Sequence, residues 1–189
     1  MHTGKTGLRT LGVAESFVGG GPSVLAGVVM RKDLLIDGIA YSEASVGGMD
    51  ATDAVIALYE SLGRRDINLI MLSGCVIAWY NIIEPARVSQ ATGCPVIVVT
   101  YEDSEGLEDD ISTHFPDDTE RLAAYRRLGE RSAFTPGTGH TLYYRAEGIE
   151  HEAACQMIDA LTLAGRVPEP LRVARLAARA VMRWRCLPK

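Results

Sequence analysis

The sequence predicts an α/β domain built on one mixed sheet, with a three-strand antiparallel meander joined to parallel strands. Three observations predict it. Apolar strand-like segments come first with only short connections between them, as a meander requires. Two later segments, Ile-Asn-Leu-Ile-Met-Leu-Ser from Ile67 and Pro-Val-Ile-Val-Val-Thr from Pro95, are near-continuous apolar runs, the mark of strands covered on both faces. Helical periodicity appears between and after those runs, where crossover helices belong.

Taken in order, Met1 to Gly7 is small and polar and reads as a loose end, and Leu8 to Glu15 reads as the first strand. Gly19-Gly20-Gly21-Pro22 is a turn, because glycine admits positive φ and proline cannot extend a ladder. Ser23 to Arg31 is the second strand, Lys32-Asp33 a turn, and Leu34 to Val46 the third strand. Asp50 then suits the N-cap of a helix whose apolar positions run from Ala51 through Leu58 to Leu62, with Gly63 as its stop. The Ile67 strand follows and breaks at Ser73-Gly74. Pro85 opens a short helix that ends at Gly93, and the Pro95 strand comes next. The acidic segment Glu102 to Asp118 is expected to stay out of the core. A helix from about Asp118 is expected to carry Arg121, Arg126 and Arg127 on its outer side. A loop around Gly137 precedes a late strand, Thr141 to Arg145; a helix runs from Glu150 to Leu163, and a last one from Leu171 to Arg185. No repeat or linker divides the 189 residues, so a single domain spans 1–189. Three strands, helix, strand, helix, strand is the order of the ribonuclease H-like fold, whereas a doubly wound fold alternates strand and helix from its start.

Composition narrows the function. Hydrophobic residues make up 47% and the net charge is −5, which excludes a generally basic nucleic-acid-binding surface but not a local basic face. The four cysteines are far apart, without zinc or redox spacing, so a reduced cytoplasmic protein is expected. No segment is long and apolar enough to span a membrane, and no apolar signal core stands at the N-terminus.

In this strand order three addresses converge: the end of the first strand, the start of the first helix and the end of the fourth strand. Phosphodiester-cutting enzymes place carboxylates there, because Mg²⁺ and Mn²⁺ take oxygen ligands and a metal pair clamps the attacking and leaving oxygens. The chain offers Glu15, then Asp50 and Asp53, and finally Ser73, whose hydroxyl is a weak neutral ligand. Glu15, Asp50 and Asp53 are the candidate metal ligands; Ser73, and His140 in a flexible Gly-Thr-Gly-His-Thr loop, complete the candidate catalytic set. Asp50 and Asp53 serve equally well as helix-start residues. A serine nucleophile is disfavoured, since Met-Leu-Ser-Gly-Cys is not a nucleophile elbow. The Gly19–Gly21 run lacks the endings of both nucleotide loops.

On the last helix Arg172, Arg175, Arg179 and Arg183 fall at steps of three, four and four, so they share one face. That stripe is either a track for a phosphate backbone or a solvated face pairing with the acidic segment. Trp79-Tyr80-Asn81, just past the Ser-Gly break, offers rings that stack on a base or pack in an interface.

The stretches Leu11-Gly12-Val13-Ala14-Glu15-Ser16, Val46-Gly47-Gly48-Met49-Asp50-Ala51-Thr52-Asp53-Ala54 and Ile70-Met71-Leu72-Ser73-Gly74-Cys75, with Trp79-Tyr80-Asn81, resemble an uncharacterised, mainly archaeal family of proteins. This is the domain-of-unknown-function family ninety-nine, which is related to endonuclease V. The resemblance covers nearly the whole chain and implies the ribonuclease H-like fold. Through endonuclease V it implies metal-dependent cutting of DNA or RNA near a deaminated purine. Carried over residue by residue, the first-strand acid falls at Ala14 or one later at Glu15, the second near Asp50 or Asp53, and the fourth-strand Asp-Gly pair on Ser73-Gly74. Two expected acids are therefore replaced, at Ala14 and Ser73. Two functions follow as expectations: a divalent-metal endonuclease on deaminated or single-stranded nucleic acid, or a catalytically degenerate nucleic-acid-binding or protein-interaction module. The sequence leaves open whether the protein forms a homodimer.

Overall fold

The computed structural model describes residues 7–19, 21–103 and 106–187. The expectations for residues 1–6 and for Gly20 in the first turn lie outside these. A seven-stranded sheet forms the centre, in the order β3-β2-β1-β4-β7-β9-β8. Strands β1 (Arg9–Ser16), β2 (Ser23–Arg31) and β3 (Ile36–Ala44) are the antiparallel meander, and β4 (Leu69–Ser73) and β7 (Val96–Thr100) join parallel to β1. That is the strand order expected from the sequence. A small hairpin, β5 (Val76–Ile77) with β6 (Asn81–Ile82), follows β4, and β8 (Ser132–Phe134) and β9 (Leu142–Glu147) complete the far edge antiparallel.

Alternation along the strands divides the core. Leu11, Val13, Leu25, Ile70 and Leu72 face helices α1 (Ala51–Ser61) and α2 (Pro85–Thr92). Leu69, Met71, Ile97 and Val99 face α5 (His151–Ala160) and the start of α6 (Glu169–Arg185), and Ala14 packs on Ala174 of α6. Gly12 is required by this second layer: a Cβ there would stand 2.5 Å from the backbone of Pro170.

Three local expectations are corrected. The acidic segment contains a helix, α3 (Glu108–His114), whose Ile111 is fully buried. One apolar residue per two turns was too sparse to reveal helical periodicity. Arg121 of α4 (Thr119–Arg127) points inward and is buried, because the backbone carbonyls it serves lie beneath it. Strand β3 is shorter than Leu34 to Val46, since Leu34 takes a positive φ in the preceding turn. Among the described residues, no helix is long and apolar enough to cross a membrane.

Candidate nucleic-acid interface

The parallel strands β1 and β4 pair Val13 with Leu72, so the next step along sets Ala14 beside Ser73 at the carboxyl-terminal edge of the sheet. Side chains alternate between faces. Ala14 and Ser73 thus look toward α6, while Glu15, like Val13, looks toward α1. Of the positions where the resemblance expected acids, these two adjacent same-face ones carry a methyl and a hydroxyl. A one-residue slip cannot bring Glu15 to them, because the pleat sends it to the other side.

Each remaining candidate has a definite place. Glu15 accepts a hydrogen bond from Ser23 Oγ at 2.6 Å; burial raises its carboxyl above the usual range, and the Ser23 bond offsets part of that rise. Asp50 stands at the start of α1 but its carboxylate does not cap the helix. It accepts instead from the Ser45 amide, the Ser45 hydroxyl at 2.7 Å and Asn81 Nδ2 at 2.6 Å. Burial works to raise its carboxyl, and these bonds outweigh that and hold it below the ordinary value. Asn81, which is 0% exposed, is the capping residue: its Oδ1 accepts from Ala51 N at 3.0 Å. Its amide is used up inside the protein and does not face a nucleic acid. Asp53 is exposed and pairs with Arg87 at 2.9 Å. His140 is exposed in the loop between β8 and β9, which stands at the same sheet edge because Tyr143 pairs with Thr100. Glycine at 48 lets the Ser45–Asp50 turn close: a Cβ there would come within 2.7 Å of Ser45 Cβ.

These groups do not fit a divalent-metal centre. Among the described residues no group of three or more His, Cys, Asp and Glu side chains is placed to hold a metal ion. The Asp50 oxygens are taken by protein donors, Asp53 by Arg87, and Glu15 faces away from Ser73. What reaches Ser73 is a cation already built in: Arg175 Nη2 donates to Ser73 Oγ at 2.9 Å.

Arg175 belongs to the stripe on α6. Arg175 meets the end of β4, and Arg185 pairs with Glu43 at the end of β3. Ten helical residues span about 15 Å, and the three strand spacings from β4 to β3 span about 14 Å. The helix therefore runs across strands β4 to β3 on one face of the sheet, with Arg179 and Arg183 exposed between these anchors. Neither makes an ion pair among the described residues. Arg172 differs, its guanidinium lying on the Glu169 carboxylate at 2.8 Å. Among the described residues the acidic segment does not pair with the stripe; its Glu108 and Asp118 pair with Arg126 and Arg121 of α4.

On the other side of Ser73 the chain turns through Ala78, Trp79 and Tyr80, all three with φ between 41° and 62°. Three successive non-glycine residues in the left-handed region cost roughly 1–2 kcal/mol each. Buried Arg121 holds them there: it donates to the carbonyls of Tyr80 (2.6 Å), Gly48 (2.9 Å) and Gly47 (2.9 Å), and Gly47 N bonds Ala78 O at 2.7 Å. The turn presents Trp79, 50% exposed, on a cluster with Tyr80, His114 and Phe115.

Two residues escaped sequence reasoning. Tyr101 follows β7 on the α6 side, its ring 5.3 Å from the Arg175 guanidinium carbon; its buried hydroxyl lies close to the Ser73 and Arg175 side chains but in regular hydrogen-bond geometry with neither. Burial raises the phenol above its usual pKa, more than nearby Arg175 and Ser73 lower it, so the hydroxyl keeps its proton. Arg166 donates to the Tyr101 carbonyl. Alternation from Ile97 through Val99 was the available signal for Tyr101; none marked Arg166.

The sheet order and the convergence of β1, β4 and α1 at one edge define a ribonuclease H-like α/β protein. Residues 6–182 match the model of the endonuclease dU family, and the chain belongs to that family. A UPF0215 protein of Pyrobaculum calidifontis is 39% identical over 176 residues, which are 92% of this chain and 97% of the relative. A crystal structure of a protein of unknown function from Archaeoglobus fulgidus superposes with TM-score 0.81 at 26% identity, covering 93% of this chain and 98% of that one. Endonuclease V of Ciona intestinalis, solved with a 24mer DNA containing an inosine followed by a ribo-adenosine, shares the fold with TM-score 0.62 at 14% identity, over 94% and 86% of the two chains.

Proposed function

We propose that the protein binds single-stranded nucleic acid at a deaminated nucleotide, deoxyuridine-containing DNA above all, across the carboxyl-terminal edge of its sheet. One observation carries this reading: the exposed arginines of α6 and the Trp79 platform flank that single edge on opposite sides of Ser73. A strand lying there sets phosphates against Arg175, Arg179 and Arg183 and leaves a base to stack on Trp79. The family description supplies the uracil, and the inosine-containing DNA held by the Ciona enzyme supports a deaminated base as the target class. The site lies on a chain of net charge −5, so binding is confined to this edge.

The test is fluorescence anisotropy with a labelled oligonucleotide carrying one deoxyuridine, over a salt series. Affinity is expected to fall steeply with salt, and Arg179→Glu with Arg183→Glu to weaken binding by about tenfold or more and flatten the salt slope by about two. Unchanged affinity in that variant would reduce the stripe to a solvated face.

Cleavage is the second reading, favoured by the endonuclease description of a family model that spans 6–182. It assigns Mg²⁺ or Mn²⁺ to Glu15, Asp50 and Asp53, with Ser73 and His140 beside them, and it requires their side chains to regroup. Incubation of deoxyuridine- and inosine-containing DNA and RNA with Mn²⁺ decides it. Cutting that disappears in Glu15→Ala establishes the hydrolase, and intact substrate leaves binding as the function.

A further inference from the structure

The residues around Ser73 have a chemical bias that a binding edge alone does not demand. A cavity of about 330 Å³ opens at the ends of β4 and β7, lined by Ser73, Gly74, Val99, Thr100, Tyr101, Glu102 and Arg175. Its inner groups are donors. Arg175 carries N–H groups beyond the one given to Ser73, and no carboxylate of the described residues lies within ion-pairing distance of it. Ser73 Oγ accepts from Arg175, so its own proton is available to an acceptor, either the neighbouring Tyr101 oxygen or a ligand in the cavity. The Tyr101 hydroxyl is buried beside Ser73 and Arg175 and makes no hydrogen bond of regular geometry with either. Arg166 lies nearby, its guanidinium carbon 5.9 Å from the Tyr101 ring. The one carboxylate at the cavity, Glu102, is exposed at the mouth. Gly74 has φ +91° and open space where a Cβ would stand, so the backbone does not block the approach.

A hard cation requires oxygen lone pairs, and this set presents hydrogens instead. Planar N–H and O–H donors around a fixed positive charge suit a tetrahedral oxyanion. We propose that Ser73, Tyr101 and Arg175 form an anion pocket that holds one backbone phosphate of the nucleic acid without a metal ion, the guanidinium standing where a nuclease of this fold would hold its cation. This rests on the nucleic-acid reading of the sheet edge and adds to it the contact that fixes the register of the strand. The arginine is a permanent charge, so the pocket needs neither metal nor a particular pH.

The experiment is anisotropy with a single-stranded deoxyuridine oligonucleotide, in EDTA and in MnCl₂, together with a set of oligonucleotides in which one phosphate at a time is a neutral methylphosphonate. Native protein is expected to bind equally in both buffers, and one methylphosphonate position to lower affinity about tenfold or more. Arg175→Gln is expected to lose as much on the normal strand and nothing further on that modified strand, with Arg175→Lys recovering part and Tyr101→Phe losing several-fold. Circular-dichroism melts establish that each variant is folded. Where Arg175→Gln does not fold, the methylphosphonate scan on native protein and the Tyr101→Phe variant decide alone. Binding that appears only with Mn²⁺, a scan without a sensitive position, or Arg175→Gln binding like native protein overturns the pocket and leaves the binding edge standing. Absence of binding by native protein in both buffers overturns the edge reading itself, and the pocket with it.

Discussion

Arg121 is the residue on which the edge depends. Its guanidinium satisfies three carbonyls, pairs with Asp118 at 2.9 Å and lies 3.9 Å over the Phe115 ring. Arg121→Ala leaves the three carbonyls without that donor, while Asp118, 30% exposed, keeps its bond from the residue-121 amide. Urea unfolding should show a loss of about 2–4 kcal/mol from the unsatisfied carbonyls. A loss under about 1 kcal/mol would mean that the turn stands without it. Glu15 makes the opposite point. Its carboxyl is raised by burial, so the native state favours the protonated form. Its contribution is fully present below the ordinary glutamate pKa and lost as pH rises through the raised value. Glu15→Gln, which keeps an acceptor for Ser23, should remove that decline, so thermal melts of variant and native protein should converge at low pH and separate in the variant's favour near neutrality. A variant less stable than native protein at neutral pH would show the ionised carboxylate to be needed.

At the scale of elements, the left-handed turn 78–80 trades stability for presentation. Glycine takes its φ values without strain. Trp79→Gly should therefore raise stability by up to about 1 kcal/mol in urea while lowering oligonucleotide affinity by about 1–3 kcal/mol through the lost stacking partner. Equal affinity would assign the ring to packing on His114 instead. Helix α6 is set by close approach. Gly12→Ala drives a methyl into the backbone of Pro170, and a loss of about 1–3 kcal/mol in thermal unfolding is expected. A shift of α6 would also carry Arg175 away from Ser73, so the same variant should weaken oligonucleotide binding.

For the molecule as a whole, much of the architecture was legible. The meander, both buried parallel strands, the Pro85 helix ending at Gly93 and the arginine face of α6 all follow from local patterns of apolar residues, prolines and glycines. Those patterns act within a few residues and survive in any context. The helix α3 and strand β8 were not legible, because one buried Ile111 and three exposed or half-buried residues leave too little periodicity. The site was legible in position more than in chemistry. Ser73 and Ala14 could be placed at the sheet edge, but the partner of Ser73 lies 102 positions later in the chain.

By itself the sequence determined the order of strands and helices along the chain and the spacing that puts four arginines on one helical face. Each is a property of residue type and period. Only the tertiary structure decided which face of the sheet each side chain meets and what waits there. The pleat separated Glu15 from Ser73, crossing of the sheet by α6 delivered Arg175 to Ser73, and burial turned Asp50, Asn81 and Arg121 into supports for the Trp79 turn. These contacts join residues far apart in the chain. Their chemistry arises from desolvation and donor–acceptor matching, which no local pattern encodes.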